Sequence, residues 1–86
     1  MNREEIVSIV NRILVDEFEK EEDEIKAESS LYDDLELDSL DGIDLVVALE
    51  KAIKQATSKD VKIDEDKAKS LKTVNDIYKI IEELTK

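Results

Sequence analysis

Residues 34–50 have the sequence DLELDSLDGIDLVVALE, in which an acidic stretch containing one serine changes into an apolar one. An aspartate followed by a serine is a common start of a helix, so we place the start of a helix at Asp38 or Ser39. Gly42 lies in the first turn and a half of this helix, where it costs about 1 kcal/mol relative to alanine. Helical spacing predicts one broad buried stripe along it, made of Leu40, Ile43, Val46, Val47, Leu49 and Ile53.

Two further amphipathic helices are predicted on either side of this stretch. The first begins near Arg3, because Asn2 and Glu5 have the spacing of a capping box. Its apolar face consists of Ile6, Ile9, Val10, Ile13, Leu14 and Phe18. The last helix follows Thr73, which is paired with Asp76 in a similar cap. Its apolar residues are Val74, Ile77, Ile80, Ile81 and Leu84.

Shorter elements complete the predicted fold. A short helix covers Asp64 to Ser70, with acidic residues in its first turn, as the helix dipole favours. Residues 20–38 form a long loop, attached to the core at Ile25, Leu31, Leu35 and Leu37. Residues 54–59 contain neither glycine nor proline, so the middle helix is expected to continue into them. The prediction is an all-α four-helix bundle of three longer helices and one short one.

The composition excludes several classes of function. The 86 residues include no His and no Cys, which rules out a histidine base, a thiolate nucleophile and the common zinc and iron–sulfur ligand sets. A net charge of −11 argues against nucleic acid as a partner. The charged start and the short apolar runs argue against a signal peptide or membrane insertion. We therefore expect one soluble, cytoplasmic, monomeric domain over residues 1–86 that is not an enzyme.

The negative charge is concentrated in one third of the chain. Of the 24 acidic residues, 14 lie between Asp16 and Asp44, where the basic residues are Lys20 and Lys26. A solvated surface that keeps the protein soluble explains this pattern, and composition alone favours that explanation. A recognition surface for basic partners is the alternative.

Ser39 is the residue that the pattern singles out. A hydroxyl in the first turn of a helix faces solvent, near amides and a dipole end that favour a phosphate. Ordinary helix capping is the other explanation of an aspartate–serine pair, and by itself the pair favours capping. A serine nucleophile needs a positioned base, so any reaction of Ser39 must be activated by another protein. An EF-hand calcium loop centred on Gly42 fails, because Leu37 and Ala48 would occupy ligand positions.

The sequence resembles the acyl carrier proteins over nearly its whole length. The resemblance rests on Asp38-Ser39-Leu40-Asp41 followed by Ile43-Asp44-Leu45-Val46-Val47-Ala48-Leu49-Glu50. It extends to Leu31, to Asp34-Leu35 before the serine, and to Thr73-Val74-Asn75-Asp76 at the start of the last helix. It implies an acyl-carrier-protein-like bundle, in agreement with the helix order above.

The resemblance also implies roles for individual residues. Ser39 would hold a 4′-phosphopantetheine arm, attached by a phosphopantetheinyl transferase from coenzyme A with magnesium. Asp38 would cap the helix and contact the transferase or its metal. The exposed face of the helix would present carboxylates to basic docking patches on acyltransferases, synthases and other acyl-processing enzymes, through Asp41, Asp44 and Glu50. The interior would shelter the acyl chain, through Ile43, Val47, Leu49, Ile63, Ala68 and Leu71, residues that would also pack in the core.

Some positions depart from the family pattern. Glu36 stands where the family commonly has a glycine, Gly42 where it has a larger residue, and Asp64 where a proline is common. Lys51 and Lys54 make the end of the middle helix less acidic than in typical fatty-acid carriers. The implied function is a carrier of acyl thioesters in fatty-acid or related lipid or polyketide biosynthesis. The alternative is an acidic helical interaction module in which Ser39 is only a helix cap.

Overall fold

The computed structural model describes residues 1–85, which fold into four α-helices. These are α1 (Arg3–Phe18), α2 (Ser39–Thr57), α3 (Glu65–Ser70) and α4 (Val74–Leu84). One 3₁₀ turn, Glu22–Glu24, interrupts the long loop between α1 and α2. Within this part of the chain the only β-type pairing is an isolated bridge between Ser30 and Thr73. The predicted all-α bundle with three longer helices is confirmed.

Reciprocal capping fixes the starts of the three longer helices. In each case the N-cap side chain accepts a hydrogen bond from the backbone three residues on, and the side chain there accepts one from the N-cap backbone. The pairs are Asn2 with Glu5, Asp38 with Asp41, and Thr73 with Asp76. The predicted caps of α1 and α4 are confirmed.

The core lies where α1 packs against α4 and α2, and where α2 packs against α3. The four residues predicted to attach the long loop are all buried: Ile25, Leu31, Leu35 and Leu37. The remaining buried apolar side chains are Ile6, Val10, Leu14, Leu45, Val46, Leu49, Ile53, Ile63, Leu71, Val74, Ile77, Tyr78, Ile80 and Ile81.

The predicted buried stripe of α2 is partly wrong. Leu40, Ile43 and Val47 are 71%, 47% and 44% exposed, and Leu45 is buried instead. The three exposed residues are three and four positions apart, so they form a continuous strip along one side of α2. The six residues of α3 span only about 9 Å and cannot cover the length of α2 on that side. An apolar strip made of Leu40, Ile43 and Val47 therefore remains on the surface of the bundle.

The far end of α2 agrees with the prediction from its sequence. The helix continues to Thr57 and ends at Ser58, which has a φ of 61° in the left-handed region. The backbone N–H of Ser58 donates to the carbonyl of Lys54 at 2.8 Å. No helix among residues 1–85 has both the length and the apolar character needed to cross a bilayer.

Backbone hydrogen bonds attach the long loop to the start of α4. They run from the N–H groups of Leu31, Val74 and Asn75 to the carbonyls of Lys72, Ser29 and Ala27, respectively. Residues 27–31 and 72–75 together are called the loop clip below. The loop that leads into α2 is therefore fixed at one side by α4.

The carboxylate of Asp76 also stabilises the start of α4. Its Oδ2 accepts hydrogen bonds from the N–H groups of Lys72 at 3.0 Å and Thr73 at 3.1 Å. The bond from Lys72 is the main cause of a lowered Asp76 pKa, and partial burial opposes it.

Candidate functional site

Ser39 is the first residue of α2 and is exposed to solvent. The cap of this helix is Asp38, whose Oδ1 accepts a hydrogen bond from the N–H of Asp41 at 2.9 Å. In return, Asp41 Oδ2 accepts one from the N–H of Asp38 at 3.1 Å. Asp38 therefore performs the capping, and Ser39 is the first helical residue after the cap. The Ser39 hydroxyl is left on the surface at the dipole's positive end.

The backbone before Ser39 is held in an unusual conformation. Glu36 has a φ of 55°, in the left-handed region that glycine adopts without cost. On either side of it, Leu35 and Leu37 are buried, so the chain must turn Glu36 outward between them. The N–H of Leu37 donates to the carbonyl of Leu31 at 3.0 Å. This φ is one that glycine adopts freely, and glycine is the residue that the family resemblance implies at this position.

A small cavity of about 60 Å³ opens beside Ser39. It is lined by Tyr32, Ser39, Gly42, Ile43, Glu65, Ala68 and Lys69, so the loop, α2 and α3 meet there. Its volume equals that of about two water molecules. A Cβ added to Gly42 would lie 3.4 Å from the hydroxyl oxygen of Tyr32. Tyr32 lies in an acidic loop, and no sequence pattern around it indicates this contact.

The three carboxylates predicted to face partners differ in their surroundings. Asp44 is exposed, whereas Asp41 is half-buried and committed to the cap of α2. Glu50 is half-buried, and its Oε2 accepts a hydrogen bond from the N–H of Ile63 at 3.1 Å. The placement of Glu50 on a freely exposed face is therefore wrong, because this bond ties α2 to the segment before α3.

The six residues expected to line the interior are not brought together as one buried group. Leu49, Ile63 and Leu71 are buried in the core, and Ala68 is half-buried. Ile43 and Val47 are 47% and 44% exposed, so the expectation of core packing is wrong for these two. Of the six, Ile43 and Ala68 line the cavity beside Ser39.

No cluster of acidic side chains within residues 1–85 is arranged to hold a metal ion. The exposed start of α2 presents the Ser39 hydroxyl in the first turn of the helix.

Comparison with known proteins agrees with this geometry. A family model described as the phosphopantetheine attachment site matches residues 8–81. This match defines the class, a domain that carries a phosphopantetheine group.

Curated relatives narrow the class to one family. An acyl carrier protein of Prochlorococcus marinus (strain MIT 9515) is 38% identical over 82 residues, which cover 95% of each chain. One of Borreliella burgdorferi (strain ZS7) is 38% identical over 81 residues, 94% of each chain. One of Thermosynechococcus vestitus is 35% identical over 81 residues, 94% of this chain and 93% of the relative. The chain belongs to the acyl carrier protein family, whose members are carriers and not catalysts.

Proposed function

We propose that Ser39 holds the 4′-phosphopantetheine arm and that residues 1–86 act as one acyl carrier domain. The observation that carries this proposal is the exposed Ser39 hydroxyl at the first residue of α2, with Asp38 taking over the capping role. The arm supplies a thiol on which acyl groups travel as thioesters. The pathways we propose are fatty-acid biosynthesis or a related lipid or polyketide pathway.

The residues around Ser39 suit the attachment. The serine oxygen receives the phosphopantetheinyl group of coenzyme A, and adenosine bisphosphate leaves. The chain contains no histidine to remove the serine proton, so the phosphopantetheinyl transferase supplies the base. The positive end of the α2 dipole favours the negative phosphodiester that results.

Partner recognition is proposed for the acidic side of α2. Asp44 has an exposed carboxylate one turn beyond Ser39 and is the best placed to meet basic patches on acyl-processing enzymes. Asp38 and Asp41 add negative charge at the same end, although each is also part of the cap. Glu50 contributes less to this recognition in our proposal, since its carboxylate binds Ile63.

We also propose that an acyl chain enters between α2 and α3 at the cavity beside Ser39. Ile43 and Ala68 line this cavity. In our proposal a longer chain would enlarge it toward four further apolar residues, Val47, Leu49, Ile63 and Leu71. A cavity of about 60 Å³ holds only a short chain, so longer chains require α3 to move away from α2. A monomeric state and a cytoplasmic location stay predictions.

Intact mass spectrometry tests the attachment. The full chain is incubated with coenzyme A, magnesium and a broad-specificity phosphopantetheinyl transferase, alongside Ser39→Ala and the matched control Ser8→Ala. Ser8 is exposed on α1 and its loss should be neutral. We expect one added arm on the wild type and on Ser8→Ala, and none on Ser39→Ala. An arm on Ser39→Ala, or no arm on any variant while a control carrier is modified, would overturn the proposal.

A further inference from the structure

An open groove lies between the far half of α2 and the segment that precedes α3. Its volume is about 510 Å³. We call it the lysine groove, and it is lined by Val47, Lys51, Lys54, Asp60, Val61 and Lys62, with Glu50 beside them. The groove continues the exposed apolar strip of α2, because Val47 belongs to both.

The charges in the lysine groove do not cancel. Glu50 accepts the hydrogen bond from the backbone of Ile63, and Asp60 pairs with Lys54 at 3.1 Å. Lys51 and Lys62 are exposed and form no ion pair with any residue in the part of the chain that the structure describes. With three lysines against Glu50 and Asp60, the groove lining has a net charge of +1. Its two ammonium groups that lack an ion-pair partner lie beside Val47 and Val61, in a protein whose net charge is −11.

The sign of the charge thus reverses along one face of α2. Leu40, Asp44, Val47 and Lys51 are separated by four, three and four positions, so they lie in one solvent-facing row. Lys51 is about 18 Å along the helix axis from Ser39. Carboxylates dominate the end of the row near Ser39, and ammonium groups dominate the end at the lysine groove. A partner that follows this row meets opposite charges at its two ends.

We propose that the lysine groove docks an acidic, partly apolar segment of the acyl-processing enzymes that this chain serves. Carboxylates of that segment pair with Lys51 and Lys62, and one of its apolar side chains lies between Val47 and Val61. The inference rests on the proposed carrier function, and it adds a required charge pattern for the docking face of the partner enzyme. The docking face must be basic next to Ser39 and acidic at the far end of α2, which fixes one orientation of the complex.

A pair of synthetic peptides tests the proposal on the full chain. Both are amphipathic helices with the same apolar face, one flanked by glutamates and the other by lysines. Each is titrated at low ionic strength into ¹⁵N-labelled protein, and amide shifts are followed by NMR. We expect the glutamate peptide to shift the amides of Val47, Lys51, Val61 and Lys62, and added salt to remove the effect. The lysine peptide should shift amides around Asp38 and Asp44 instead.

Two double variants in which lysines are replaced by glutamates test whether the lysine groove is the binding site. The double variant Lys51→Glu/Lys62→Glu should bind the glutamate peptide about tenfold more weakly. The matched variant Lys26→Glu/Lys79→Glu has the same net charge, and neither of its altered residues lines the lysine groove, so it should retain binding. Shifts spread over the whole surface, or equal binding by both double variants, would overturn the inference. Mass gain at Ser39, measured on the same variants, reports the carrier function separately.

Discussion

Replacing Gly42 with alanine is expected to stabilise the fold. Gly42 has no positive φ and its N–H donates to the carbonyl of Asp38 at 3.0 Å, so it is an ordinary helical residue without a side chain. An added Cβ would lie 3.4 Å from the Tyr32 hydroxyl oxygen, the near limit of an ordinary contact. The gain is therefore that of helix propensity, about 0.5–1 kcal/mol in the free energy of unfolding. For a domain of this size it raises Tm by about 2–8 °C.

Urea denaturation followed by circular dichroism measures this gain, with an unchanged m-value as the check that the unfolded state is the same. Tyr32→Phe and the double variant Tyr32→Phe/Gly42→Ala complete a double-mutant cycle. If alanine destabilises the protein only while Tyr32 is present, the hydroxyl contact outweighs propensity. If it destabilises the protein in both backgrounds, the reasoning from helix propensity is refuted.

Three other substitutions probe separate features. Glu36→Gly should raise the free energy of unfolding by up to about 1 kcal/mol by relieving a left-handed φ, and a urea midpoint lower than that of the wild type would contradict this. Glu50→Ala should cost about 1 kcal/mol by leaving the N–H of Ile63 without its partner, whereas Glu50→Gln keeps an acceptor and should be nearly neutral. Equal losses in the two variants would argue against this bond. Because the folded-state pKa of Asp76 is lowered, its charge stabilises the fold at neutral pH, and this contribution is lost as the pH falls below about 4. The stability difference between wild type and Asp76→Asn should therefore shrink in acid, and a difference independent of pH would count against the role of the charge.

The helix starts were predictable from the sequence because capping is a local interaction. The side chains of Asn2 and Thr73 bind backbone only three residues away, so the pattern of residue types contains most of the information. Asp64, predicted as the first residue of the short helix, is instead its cap, and its side chain accepts a hydrogen bond from the N–H of Lys67 at 2.9 Å. Ser39 stood out for a related reason, as a hydroxyl placed directly after a capping aspartate.

Features that depend on distant parts of the chain were not predictable in this way. Periodicity gives the width of the apolar stripe of α2, but whether Ile43 and Val47 are covered depends on the length and position of α3. The hydrogen bond between Glu50 and Ile63 joins residues 13 positions apart, and nothing in the pattern around Glu50 indicates it. The left-handed conformation of Glu36 accompanies the hydrogen bond from the N–H of Leu37 to the carbonyl of Leu31, and no residue type at this position indicates it.

The loop clip bears on how the protein withstands force applied at its surface. With the proposed arm attached to Ser39, a partner that binds the arm pulls on the junction between the long loop and α2. The force acts on α2 in one direction along the chain. In the other direction it acts through the loop on the three backbone hydrogen bonds at the start of α4. Ser39 is thus a tether point secured from both directions along the chain. On the loop side, these hydrogen bonds oppose displacement of Ser39 away from the bundle.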